Sequence, residues 1–238
     1  MVTIFDGALA PEILLGILFL AVLPSTVQSS IAFTSIAGGN VPAAICAASV
    51  SNIIGVALTP GLVALLLHTG DGGVRFDAVA KIGTQILLPF IAGQIVRPWV
   101  GAFVQRHKTL TMVVDRGSIL LIVYSAFSAG TVSGLWRAIP VSSLITLYVV
   151  VLVFLAITMF VMVGMGRVTK LPKPDRSVLF YCGSTKSLAS GLPIATALFA
   201  PETVGAIVLP VMMYHMSQLL VCAFISQKAA RFSDASQV

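Results

Sequence analysis

Seven apolar stretches separated by short polar gaps divide this chain. They cover residues 13–36, 42–67, 79–104, 117–136, 141–165, 178–199 and 204–225. A helix needs about 20 mainly apolar residues to cross a bilayer, and each stretch supplies them. A strand barrel would show segments of about 10 residues with alternating polarity, and these stretches do not alternate. The pattern predicts an all-α polytopic membrane protein of about seven transmembrane helices.

Two of the stretches are interrupted. The first interruption is Leu23-Pro24-Ser25-Thr26-Val27-Gln28-Ser29-Ser30; the second runs from Cys182-Gly183-Ser184-Thr185-Lys186-Ser187 to Pro193. Proline, glycine and clustered hydroxyls break a helix. In hydrocarbon an unwound segment survives only where it lines a cavity or is buried in protein. Paired interruptions at corresponding places in two halves point to a transporter's binding site. The second run also carries Lys186, and an ionisable residue within a span is a functional candidate by default.

Composition strengthens this picture. Of 238 residues, 58% are hydrophobic and 9% charged, with a mean hydropathy of +1.04. Soluble domains carry about 25% charged residues. The net charge of +6 falls in the gaps between stretches, not on one face, so it does not read as a nucleic-acid footprint. One side of the membrane receives Arg97, Arg106, Lys108, Arg116, Arg167, Lys170, Lys173, Arg176, Lys228 and Arg231. The other receives Arg75, Lys81 and Arg137. The positive-inside rule makes the first side cytoplasmic, with the C-terminus inside and Met1 outside. The first ten residues lack a basic n-region and contain Asp6, so they do not read as a signal peptide. An interrupted first span entering from outside leads to the expectation of an odd number of further helices upstream.

Cys46, Cys182 and Cys222 lie far apart within apolar stretches and form neither a disulfide framework nor a CxxC metal site. There is no carboxylate pair, His/Cys cluster or phosphate loop, so the chain does not read as an enzyme and calls for no cofactor. The stretch with Ser25-Thr26 runs out-to-in, and the stretch with Ser184-Thr185 runs in-to-out. Each is followed by a short turn, Gly38-Gly39-Asn40 or Ala200-Pro201-Glu202, and one more span. Similar layout with opposite direction is the form of an inverted repeat.

At these residues the chain resembles the bile acid:sodium symporter superfamily, in a bacterial branch similar to the seventh human member of that solute-carrier family. The resemblance is carried by the run Leu23 to Thr34, by Gly39-Asn40-Val41, by Ser49-Val50-Ser51-Asn52 with Leu58-Thr59-Pro60, and by the run Gly183 to Pro193. It implies a ten-helix fold of two inverted five-helix repeats, with two broken, crossing helices in a core domain and a separate panel domain. The seven stretches match spans 4–10. That implies three missing helices at the N-terminus, and residues 1–70 as the last two spans of the first repeat. Residues 71–238 are then the second repeat, with panel spans about 78–137 and core spans about 141–226. It further implies a multi-pass protein of the bacterial inner membrane.

The expected function is secondary transport of a small organic or amphipathic anion by alternating access. The partners are then the lipid bilayer and that small molecule, and not nucleic acid; a homo-oligomer is left open. The alternative is a non-transporting regulatory or scaffold protein, or an inactive fragment of a transporter. Candidate cavity residues are Ser25, Thr26, Gln28, Ser184, Thr185, Lys186, Ser187, Ser190, His215 and Gln218. The resemblance implies sodium ligands at Ser29, Ser30, Ser49, Ser51 and Asn52. The sequence departs from that pattern where bile-acid transporters place a glutamate at the second crossing. The matching position is about Tyr181, and residues 178–199 contain no carboxylate. An ammonium within about 5 Å of a sodium ion would repel it by about 3 kcal/mol at an effective dielectric of about 20. The coupling ion is therefore either Na+ or H+, with Lys186 the residue that could exchange the proton.

Overall fold

The computed structural model describes residues 9–67 and 76–235. Met1, the expected boundary between residues 70 and 71 and Arg75 lie outside the described residues, as does the side chain of Lys81. Ten helices and no strands are found among the described residues. They are α1 (Pro11–Val22), α2 (Gln28–Ile36), α3 (Val41–Leu67), α4 (Phe76–Arg106), α5 (Lys108–Val132), α6 (Leu135–Ala138), α7 (Val141–Val168), α8 (Lys173–Ser184), α9 (Leu188–Leu198) and α10 (Pro201–Ala235).

Lys108–Val132, Val141–Val168 and Pro201–Arg231 are each long and apolar enough to cross a membrane. The chain is a multi-pass membrane protein on this evidence. The polar gap expected around residues 105–116 is not a loop. α4 continues to Arg106 and α5 starts at Lys108, which places Arg97 inside α4 and Arg116 inside α5.

Both expected interruptions are present, each with a local cause. Pro24 disfavours the helical region for the residue before it, and Leu23 leaves α1 with φ −71° and ψ 145°. α2 starts again at Gln28. In the second break Thr185 is extended, at φ −94° and ψ 148°. Ser187 then caps α9, its hydroxyl accepting from the Ser190 amide at 3.1 Å.

The two broken helices run past each other in opposite directions. Phe19 of α1 meets Phe199 just after α9, with ring centroids 5.7 Å apart. Phe33 of α2 meets Tyr181 of α8 at 6.0 Å. At one end Asn40 Nδ2 donates to Asp175 Oδ1 at 2.8 Å, and the Asn40 amide donates to the Pro174 carbonyl at 3.2 Å. The breaks therefore lie at the same level. α3 packs closely on the first of them, because a Cβ at Gly55 would stand 2.5 Å from Pro24 Cβ.

The core collects Ile13, Phe19 and Leu20 of α1, Leu147 and Val151 of α7, Leu192 of α9, and Val204, Ile207, Val211 and Tyr214 of α10. Among the described residues α5 adds Ala126, with Ile122 and Val123 packed at the edge of the core, and α4 adds none. Their outer faces are apolar and open, with Trp99 74% and Tyr124 72% exposed. Apolar surface on this scale marks contact with hydrocarbon or another protein.

Candidate functional site

A broken helix frees backbone groups that must find partners. At the first break the carbonyls from Ala21 to Val27 all have donors. Lys186 Nζ donates to Ala21 O and Leu23 O, both at 2.9 Å. Thr59 Oγ1 donates to Val22 O at 2.9 Å, the Ser187 amide to Pro24 O at 2.8 Å, and Asn52 Nδ2 to Ser25 O at 2.7 Å. Ser30 Oγ donates to Thr26 O, and to Val27 O at 3.1 Å.

At the second break Tyr214 OH donates to Ser184 O at 2.7 Å. Gln218 brackets Lys186, its Oε1 accepting from the Lys186 amide at 2.7 Å and its Nε2 donating to the Lys186 carbonyl at 2.9 Å. The same Nε2 lies 2.9 Å from His215 Nδ1. An amide NH2 only donates, so Nδ1 accepts and the ring proton belongs on Nε2. Between the breaks Ser25 Oγ and Thr185 Oγ1 are 3.2 Å apart, and Ser190 Oγ donates to Asn52 Oδ1 at 2.9 Å.

Beside this crossing lies a cavity of about 430 Å³. It is lined by Thr26, Val27, Gln28 and Ser29 at the start of α2, and by Ser187, Leu188, Ala189 and Ser190 at the start of α9. Asn52, Arg116, Ile119, His215 and Leu219 complete it. Helix N-termini carry partial positive charge and unpaired N–H groups. Two of them open on this cavity together with a guanidinium, and among the described residues no carboxylate lines it. The arrangement favours an anion with an apolar part, since Leu188, Ile119 and Leu219 are also in the wall.

Five expected cavity residues therefore line the cavity: Thr26, Gln28, Ser187, Ser190 and His215. Ser25, Ser184, Thr185 and Gln218 are buried in the crossing, where they hold the two breaks together. Lys186, expected to face the cavity, is turned to the end of α1. The reason is electrostatic: a helix C-terminus carries negative partial charge and free carbonyls, which attract an ammonium. Arg116 is the charged cavity residue that sequence reasoning missed, because it counted as part of a polar gap; the apolar wall residues Val27, Ile119, Leu188, Ala189 and Leu219 were not among the candidates either. The signal for Arg116 was present: it lies in the turn just before an apolar stretch, on the same helix as Ile119. Among the described residues Arg116 has no ion-pair or hydrogen-bond partner.

Of the residues that the resemblance implied as sodium ligands, Ser29 and Asn52 are in the cavity wall. Ser29 Oγ pairs with Thr26 Oγ1, Ser51 Oγ accepts from the Ser25 amide at 3.2 Å, and Ser30 is bonded as above. Ser49 lies on α3 and is half-buried. With the Ala21–Val27 carbonyls partnered and an ammonium among them, this donor set does not suit a second cation at the first break.

A family model described as the SBF-like CPA transporter family matches residues 1–231. The chain is 52% identical over 94% of its length to an uncharacterized protein of Pseudomonas aeruginosa, covering 68% of that protein. It is 44% identical over 95% of its length to "Putative symporter YfeH" of Escherichia coli K12, again covering 68%. It is 26% identical over 88% of its length to sodium/bile acid cotransporter 7 of Rattus norvegicus, covering 62%.

Proposed function

The chain belongs to the SBF-like CPA transporter family, and from that premise we propose that it carries a small organic or amphipathic anion across the bacterial inner membrane by alternating access. The names of its relatives do not favour a scaffold role. In this reading the chain crosses the membrane seven times with its C-terminus cytoplasmic. The units α1–α3 and α8–α10 are inverted copies forming the core, and α4–α6 belong to the panel.

One observation carries the proposal: the first turns of α2 and α9 open on a single cavity with Arg116 and His215, and among the described residues no lining carboxylate opposes them. Arg116 would pair with the acidic group of the substrate, and the two helix starts would offer N–H donors. His215 Nε2 and the Ser187 and Ser190 hydroxyls would orient it, while Leu188, Ile119 and Leu219 would take its apolar part. Lys186 supplies the positive charge at the end of α1 that a coupling cation would otherwise supply. Its ammonium would release one proton and regain it in each cycle, which links transport to protons and makes it independent of sodium.

The test uses proteoliposomes and a labelled panel of bile acids and smaller organic anions, with sodium and pH gradients imposed separately. Uptake should follow the pH gradient and be indifferent to sodium. A charged hydrogen bond contributes about 1.5–3 kcal/mol, so Arg116→Gln should weaken anion binding about 10- to 100-fold. Uptake that follows sodium at fixed pH and survives Lys186→Met would rule out the proton reading. Full anion binding by Arg116→Gln would rule out the receptor.

A further inference from the structure

A second cavity, of about 330 Å³, lies between the end of α7, the start of α8 and α10. It has two kinds of wall. Met162, Val163, Phe180 and Ile225 are apolar, whereas Arg167 and Arg176 bring guanidinium groups and Ser177 a hydroxyl. Both arginines are exposed. Arg176 spends one N–H on the Leu171 carbonyl at 2.6 Å. Arg167 has no hydrogen-bond or ion-pair partner among the described residues. Gly166 makes room for Arg176, whose Cγ would stand 3.3 Å from a Cβ there. Among the described residues no carboxylate lines the cavity. The nearest acid in sequence, Asp175, is engaged by Asn40. Lys170, in the turn between α7 and α8, and Lys173, at the start of α8, add to the positive field.

Two arginines at the mouth of an apolar slot complement an amphiphile with a phosphate at one end and hydrocarbon at the other. Guanidinium groups bind phosphate oxygens in pairs. Basic pockets between transmembrane helices select anionic lipid headgroups. We propose that this cavity is a binding site for one anionic glycerophospholipid, its phosphate on Arg167 and Arg176 and the start of an acyl chain against Met162, Val163, Phe180 and Ile225. A free phosphate would use the arginines alone and leave the apolar wall without a role. The site is separate from the anion cavity at the crossing and does not depend on what that cavity carries. It also reaches Tyr181, whose carbonyl accepts from Thr185 Oγ1 at 2.8 Å in the second break. A lipid seated there would brace α8 on the side away from the crossing.

The test is native mass spectrometry of the purified chain after exchange into micelles containing dioleoylphosphatidylglycerol or dioleoylphosphatidylcholine at equal mole fraction. One phosphatidylglycerol should be retained in preference to phosphatidylcholine. Each arginine should contribute about a fivefold preference, so the double variant Arg167→Gln/Arg176→Gln should lose about 25-fold. Val163→Trp, which fills the slot and leaves the charges in place, should also abolish retention. Arg106→Gln, on an exposed helix end elsewhere, should change nothing. Retention by the double variant or by Val163→Trp would overturn the proposal. Equal loss in Arg106→Gln would mean diffuse surface charge. Displacement by inorganic phosphate at the same concentration would mean a free-phosphate site. Each of those two results would overturn it as well.

Discussion

At the scale of the residue, two basic side chains near the crossing have opposite energetic standing. Lys186 is a structural cation: its ammonium holds Ala21 O and Leu23 O, which have no other donor in the break among the described residues. The bond to Leu23 O is half-buried and that to Ala21 O exposed; leaving a buried acceptor unpaired costs about 1–3 kcal/mol, so Lys186→Met should destabilise the protein by about 1–3 kcal/mol. Arg116 has no partner among the described residues, and Arg116→Gln should leave stability within about 0.5 kcal/mol. Thermal unfolding in detergent separates the two. An unchanged midpoint for Lys186→Met would mean that water or Thr59 serves the end of α1 equally well.

At the scale of the element, stability depends on the two breaks holding each other. The Ser187 amide reaches into the first break, Lys186 reaches past it to α1, and Asn52 of α3 joins both through Ser25 O and Ser190 Oγ. Neither broken helix could satisfy its own backbone in hydrocarbon, so the pair should form as a unit. Ser25 Oγ and Thr185 Oγ1 are 3.2 Å apart. Ser25→Cys/Thr185→Cys, in a background with Cys46, Cys182 and Cys222 replaced by alanine, should form a disulfide under mild oxidation. If transport moves the broken helices relative to each other, the oxidised form should not transport and reduction should restore it. No cross-link under oxidation would show that the breaks do not meet in the membrane.

At the scale of the whole molecule, α10 is the axis on which α1, α2, α5, α7 and α9 assemble, while α4 and α5 present apolar faces outward. The orientation proposed here puts the turn around Lys170 in the cytoplasm and the turn around Arg137 on the other side. In intact cells a membrane-impermeant maleimide should label Arg137→Cys, and should label Lys170→Cys only after permeabilisation. The reverse pattern would invert the topology and move the arginine-lined lipid cavity to the outer leaflet.

Much of this architecture was legible in the chain itself because it depends on local properties. Apolar length sets where helices lie, and Pro24 and the Gly183–Ser187 run interrupt them wherever they are placed. Both breaks were therefore expected at the residues where they occur. Local signals also pointed to Thr26, Gln28, Ser187, Ser190 and His215 as polar groups near the site. What the sequence could not decide was which polar group faces which space, because that depends on contacts between distant residues. Lys186 finds its carbonyls 165 and 163 positions away, and turns from the cavity because the end of α1 attracts it more strongly. Gln218 is taken up by the backbone 32 positions before it. Arg116 enters the site because α5 starts well before its apolar stretch and packs beside α9 and α10. Hydropathy determined the elements, since burial in hydrocarbon acts on each stretch separately. Only tertiary structure assigned the charges, since a charge settles where the backbone dipoles and open carbonyls of other elements stabilise it.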